Sequence, residues 1–282
     1  MFGCVRTDGH QFHEGIDIRS LHRDRQGEPT DPVLATADGT VAYVNDKLGL
    51  SNYGRYIVLQ HQIEGLEIYS VYAHLRAIGP GIQAARKVRA GEVIATMGRS
   101  TNTREGISKE RAHVHFELNF LANERFADWY QKNSPDQRND HGQWNGHNLM
   151  GIDPRLVLLG QAQEKGQFRL LEFLRQQTEL FRVVVRATSF PWLRRCTSLV
   201  RRNPTAEREG VVGYEIALNY TGLPFQLIPR SANEITSAAK IQLLSVNEAE
   251  QAKHPCGHLV VKRGGRWELT TAGSRLLDLL TY

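Results

Sequence analysis

Arg111-Ala112-His113-Val114-His115-Phe116-Glu117-Leu118-Asn119-Phe120 alternates polar and apolar side chains with a period of two. Successive side chains of a β-strand point to opposite faces, so Val114 and Phe116 belong to a core face and both imidazoles to the other. Glu117 shares the face of His115 and is placed to hydrogen-bond it. Two histidines displayed on one face of a strand point to metal binding or proton transfer; the plainer alternative is a solvated face with incidental histidines.

Residues 40–44, 56–61, 67–74 and 93–97 read as further short strands, rich in β-branched and aromatic residues and separated by glycine-bearing turns such as Gly79-Pro80-Gly81 and Arg89-Ala90-Gly91-Glu92. This is an all-β pattern, and the regular spacing of its short strands suggests a compact sandwich or barrel-like sheet. Residues 133–155 are rich in Gly, Asn, Asp and His and read as a loop or linker. Beyond them, 156–180 shows helical spacing of apolar residues, 211–219 and 258–269 read as strands, and 270–282 as a closing helix. The division is therefore 1–132, an all-β domain; 133–155, a loop or linker; and 156–282, an α+β domain of a type the sequence does not identify.

The chain has 282 residues, 40% of them hydrophobic and 23% charged, which is ordinary for a folded chain and suits two units. A net charge of +5 favours an anionic partner without choosing among nucleic acid, membrane and acidic polymer. No basic helix, RNP-type motif or zinc-finger spacing accompanies Arg194, Arg195, Arg201 and Arg202, so nucleic acid is not expected. These arginines read as a solvated face, with contact to an anionic wall polymer or headgroups as the alternative. Cys4, Cys196 and Cys256 show no C-x-x-C pairing; a Cys196–Cys256 bridge is left open. No apolar run is long enough to span a membrane, and the chain does not begin with a secretion signal, although the start reads as lying inside a domain.

His13-Glu14-Gly15-Ile16-Asp17 offers an imidazole and a carboxylate, both ordinary zinc donors, with Gly15 allowing a tight turn so that the two converge. A His-x-x-x-Asp pair alone is weak. Joined with His113-Val114-His115 and with His74 at the end of a strand, it makes a metal site arguable from residue type.

In this order, His13-Glu14-Gly15-Ile16-Asp17, Tyr72-Ala73-His74-Leu75, Arg89-Ala90-Gly91-Glu92 and His113-Val114-His115-Phe116-Glu117 resemble the M23 metallopeptidases, the lysostaphin/LytM-type zinc endopeptidases. The resemblance covers residues 2–120. It implies a lysostaphin-type (duplicated hybrid motif-like) antiparallel fold, Zn2+ held by His13, Asp17 and His115, and catalytic roles for His74 and His113, with the assignment of individual proton transfers open. It implies peptidoglycan stem or cross-bridge peptides as substrate and the bacterial cell envelope, periplasmic or secreted, as location. A non-catalytic relative, acting as activator or scaffold for other wall hydrolases, is the rival.

Glu14 reads as a solvated or supporting carboxylate, His61 as an ordinary strand-end histidine, and His10, His22, His141 and His147 as solvated loop residues. Two stretches depart from the family pattern and are expected to reshape the groove: 104–111 and the long segment 119–154.

Overall fold

A computed structural model describes residues 1–282. The first half is built from β1 (Gly3–Arg6), β2 (Gln11–His13), β3 (Ile16–Arg19), β4 (Pro32–Leu34), β5 (Gly39–Asn45), β6 (Tyr56–Ile63), β7 (Leu66–Ala73), β8 (Ala77–Ile78), β9 (Lys87–Val88), β10 (Val93–Thr96) and β11 (His113–Leu121). The alternating stretch around His113 is thus a strand. Helix α1 (Phe126–Asn133) and strand β12 (Leu149–Ile152) follow it.

The main sheet runs β12-β11-β7-β6-β5-β9, and β3 adds to it by pairing with β11. Every pairing in it is antiparallel. One edge of β11 is shared end to end: β3 takes His113 to Phe116 and β12 takes Leu118 to Leu121. A small sheet, β4-β10-β8, and the β1-β2 hairpin complete this half.

Period-two alternation divides the main sheet into two faces. Val114, Phe116, Leu118 and Phe120 of β11, Ile57 and Leu59 of β6, and Ile68 and Tyr72 of β7 enter the principal core. The opposite face carries a smaller cluster of Tyr56, Val58, Tyr69, Val71 and Ala73 beneath Trp144 and Leu149. On that same face β11 turns His113, His115, Glu117 and Asn119 away from the principal core, and all but His113 are buried.

The second half holds α2 (Pro154–Glu164), α3 (Leu170–Arg175), β13 (Phe181–Val185), α4 (Pro191–Arg195), α5 (Pro204–Glu209), β14 (Gly213–Leu218), β15 (Pro224–Arg230), β16 (Ile241–Val246), α6 (Glu248–Lys253), β17 (Val260–Arg263), β18 (Arg266–Leu269) and α7 (Thr271–Thr281). It is an α+β arrangement around the antiparallel sheet β15-β14-β13-β16. The helical reading of 156–180 is interrupted where Lys165 and Gly166 take positive φ, 44° and 89°. The strand reading of 258–269 becomes the hairpin β17-β18, turned by Gly264 and Gly265 at φ 54° and 80°.

The segment 133–155 is not a free linker. Asn148 is fully buried, donating to the backbone carbonyls of Asn123 and Gln143, and β12 pairs with β11. A single apolar cluster of 44 buried residues runs from Val33 to Leu280, so both halves share one core. Phe120 of β11 meets Trp192 of α4 with ring centroids 5.7 Å apart.

The open alternative of a Cys196–Cys256 bridge is also corrected. Cys256 is joined to Cys4, and Cys196 is a free thiol buried in the principal core. The Cys4–Cys256 bridge spans 252 residues and fastens the β1-β2 hairpin to the second half. Phe2 and Phe12 pack against Tyr220 beside it, and Tyr220 stacks on His254 at 3.7 Å.

Candidate metal and catalytic site

Strand register brings the proposed ligands together. His115 stands opposite Asp17 of β3 on one side and Ala73 of β7 on the other, so His74 emerges one residue beyond the end of β7. His13 ends β2, and the chain turns through Glu14 and Gly15 into β3. Only glycine fits at position 15: a Cβ there would lie 2.4 Å from the carbonyl oxygen of Phe116.

His13 Nε2, His115 Nδ1 and Asp17 Oδ1 form a triangle with sides of 3.0, 3.1 and 3.2 Å. Donors about 2.0–2.1 Å from a tetrahedral zinc stand roughly 3.3 Å apart, so this set fits the ion with movements of a few tenths of an ångström. Each imidazole is oriented through its other nitrogen. His13 Nδ1 donates to the Met1 carbonyl at 2.7 Å, and His115 Nε2 donates to Glu117 Oε1 at 2.7 Å. Fixing the far nitrogen sets the tautomer and turns the lone pair inward, as metal-binding histidines require. Glu117 is itself held by the Tyr53 hydroxyl and by Asn119 Nδ2.

Arg6 lies at the mouth of this triangle, and nothing in the sequence pattern pointed to it. Its Nη2 donates to Asp17 Oδ2 and to His13 Nε2, both at 2.8 Å. The β1-β2 hairpin pairs Arg6 with Gln11, which carries its side chain over the site.

His74 and His113 face one another, ring centroids 4.9 Å apart. His74 Nδ1 donates to the Ser100 carbonyl at 2.8 Å and His113 Nδ1 donates to the Arg111 carbonyl at 2.7 Å. Both Nε2 atoms are therefore free to accept a proton, and His113 Nε2 lies 3.4 Å from Asp17 Oδ1. His74 adopts φ 61°, a left-handed conformation uncommon outside glycine, and its own N–H donates to the Tyr53 carbonyl at 2.9 Å.

Electrostatics separate these groups. Burial pulls His74 down to about 4, against the pull of the Ser100 carbonyl, and burial also lowers His113. His115 is opposed by burial too, yet its bonds to Asp17 and Glu117 push it up to about 9. Asp17 and Glu117 resist burial through their histidine partners and sit below the usual carboxylate range.

The site opens into a cleft of about 430 Å³, lined on one side by Thr103, Glu105, Gly106, Ile107 and Arg111. The unusual stretch 104–111 therefore forms a wall of the groove. His61 lies apart, bonded to the Asp38 carbonyl and Ser70 Oγ within the sheet. His22 pairs with Asp31 while its side chain stays 75% exposed, whereas His141 bonds Tyr43 and the Leu50 carbonyl and is not simply solvated. Among the arginines of the second half, Arg194 pairs with Glu124 and Arg202 with Glu207 at the surface, whereas Arg195 is largely buried, reaching Glu124 and the Ala122 carbonyl, and does not belong to a solvated face.

Residues 11–128 match the sequence profile of peptidase family M23. The Lipoprotein NlpD/LppB homolog of Pseudomonas aeruginosa is 35% identical over 119 residues, 42% of this chain and 32% of that protein. The murein hydrolase activator NlpD of Escherichia coli is 33% identical over 108 residues, 38% of this chain and 23% of that protein. The chain thus spans about a quarter to a third of the length of these two relatives. Lipoprotein NlpD of Yersinia enterocolitica is 34% identical over 97 residues, 34% of this chain and 86% of that protein. Among solved structures, the catalytic domain of the prophage-encoded M23 protein EnpA from Enterococcus faecalis, in a mutant form, shares 22% identity over 42% of this chain and 75% of its own, with a TM-score of 0.32. The catalytic domain of lysostaphin from Staphylococcus simulans shares 20% over 42% of this chain and 72% of its own, with a TM-score of 0.30. By its sequence over the part that carries the site, this chain belongs to peptidase family M23.

Proposed function

We propose that the chain is a zinc metalloendopeptidase that hydrolyses peptide bonds in the stem or cross-bridge peptides of bacterial peptidoglycan. His13, Asp17 and His115 hold the zinc in this reading, and His74 and His113 carry protons. The observation that carries it is the triangle of three donor atoms, 3.0–3.2 Å on a side, with two anchored imidazoles beside it. Zinc, when bound, supplies Lewis acidity, lowering the pKa of a coordinated water to about 7 and polarising a carbonyl.

The chain's own residues supply the rest. His74 and His113, with Nδ1–H bonded to carbonyls, present unprotonated Nε2 atoms to the cleft. Burial keeps both below the usual histidine range, so at neutral pH the pair is ready to accept a proton. The imidazolium so formed can bond an oxyanion and return the proton to a departing amine. Placement in the cell envelope is supported by the Cys4–Cys256 disulfide, which suits an oxidising compartment, and by relatives named as lipoproteins. No helix is long and apolar enough to cross a membrane.

The second reading, a non-catalytic activator or scaffold for other wall hydrolases, is favoured by the name of the Escherichia coli relative. Against it stands the retention of all five residues that the reaction uses. The experiment incubates the zinc-loaded chain with purified peptidoglycan and follows soluble fragments. Release that disappears in His113→Ala supports the peptidase. No release by the chain alone, with faster release by an added wall hydrolase, supports the activator.

A further inference from the structure

The groove continues past the metal site. A second cavity, of about 510 Å³, opens beside the first, and the two share Glu14, Asn52 and Tyr53. Its far wall comes from the chain between α1 and β12. Trp144 is seated on Tyr69, ring centroids 5.2 Å apart, and His141 meets the rings of Tyr43 and Tyr56 at 5.9 and 5.3 Å. The wall is thus fixed to the sheet.

One carboxylate faces this space, and no Lys or Arg of the chain pairs with it: Glu14, at the junction of the two cavities. His141 bonds the Leu50 carbonyl through Nε2 at 3.2 Å and the Tyr43 hydroxyl through Nδ1 at 2.9 Å, so both of its ring nitrogens are engaged by the cavity wall. The cavity therefore offers a carboxylate beside the aromatic walls of Tyr53, Tyr56 and Trp144. Aromatic faces attract cations, and a carboxylate supplies a charge-assisted acceptor, so together they select a cation over a neutral or acidic group.

We propose that this second cavity is a specificity subsite for a peptide residue bearing a primary ammonium group, with Glu14 as its counter-ion and Trp144 as its outer wall. Its position next to the reacting bond rests on the peptidase reading. The segment 133–148, outside the matched family profile, is what closes the subsite, so the preference belongs to this chain's own elaboration of the fold. Glu14 acts as a specificity-determining residue, not in the proton transfers.

The test uses binding, so that it does not depend on turnover. Zinc-loaded His113→Ala protein is titrated calorimetrically with a peptidoglycan-derived tetrapeptide carrying a free side-chain ammonium, and with the same peptide acetylated on that amine. Acetylation should weaken binding by roughly tenfold, and the difference should vanish when Glu14→Gln is added, with zinc content and melting temperature showing that the variant is folded and loaded. Equal affinity for the two peptides, discrimination that survives Glu14→Gln, or binding of neither peptide would overturn the proposal. Wild-type cleavage of both peptides at the same rate would also overturn it while leaving the peptidase reading intact. Discrimination in binding without any cleavage would do the reverse.

Discussion

His115 stands directly opposite Asp17 in the antiparallel register of β11 and β3, which places Nδ1 of the one 3.1 Å from Oδ1 of the other. A ladder of backbone hydrogen bonds thus fixes two of the three donors, and the turn at Gly15 adds His13. The alignment of His115 further depends on Glu117, whose Oε1 receives its Nε2–H. Glu117→Gln keeps the shape and removes the charge. Zinc affinity, measured by competition with a chromogenic chelator, should fall by about 10- to 100-fold. An unchanged affinity would mean that Glu117 does not orient the ligand.

Arg6 makes the opposite contribution. Its guanidinium spends the His13 Nε2 lone pair and brings a positive charge to the place a cation would occupy. Arg6→Ala should therefore tighten zinc binding by roughly tenfold in the same assay. A weakened affinity would show that Arg6 supports the ligand set instead of competing with the ion.

The second half reaches the site through the hairpin. Cys4 is tied to Cys256, Phe2 and Phe12 lean on Tyr220, and the Met1 carbonyl orients His13. Cys256→Ser should lower stability by roughly 2–5 kcal/mol, since the bridge closes a very long loop of the unfolded chain. It should also reduce zinc affinity by loosening β1 and β2. Calorimetric melting with and without reductant checks the first effect; a melting temperature insensitive to reduction would contradict it.

Asp31 ties down the exit from β3. It accepts from Ser20 Oγ at 2.8 Å, from the N–H groups of Leu21 and His22, and from His22 Nδ1 at 2.8 Å. Burial works against its charge, but the bonds from His22, Ser20 and Leu21 hold its carboxyl at about 2. The unfolded value is about 3.9, so the folded state binds the proton less tightly; the stabilisation is complete above that pH and is lost as pH falls through about 2. Asp31→Asn should destabilise the protein by about 1–3 kcal/mol near neutrality, and the gap to the parent should narrow below about pH 4 and close as pH falls through about 2. A gap independent of pH in thermal unfolding would contradict this.

Much of the first half was legible because its signals are local. Period-two alternation marks β11, β-branched and aromatic runs between glycine turns mark β5, β6, β7 and β10 to within a few residues, and residue types mark His13, Asp17, His74, His113 and His115, which the structure brings together. What escaped depends on distant partners. β12 is short and lies in a polar stretch, and only the free edge of β11 makes it a strand. Cys4 finds a partner 252 residues away, and Arg6 and Tyr53 reach the site through pairings that no local pattern announces. In the second half, the Pro224–Arg230 strand carries two prolines and is held by β14, so its β character comes from the neighbour more than from its own residues.

The most direct measurement is the zinc content of the purified chain by elemental analysis, alongside His115→Ala prepared identically. The expected result is one zinc per parent chain and almost none in the variant, with both proteins folded. A parent chain without zinc under metal-replete conditions, or a variant that keeps it, would contradict the assignment of His13, Asp17 and His115 as the metal site.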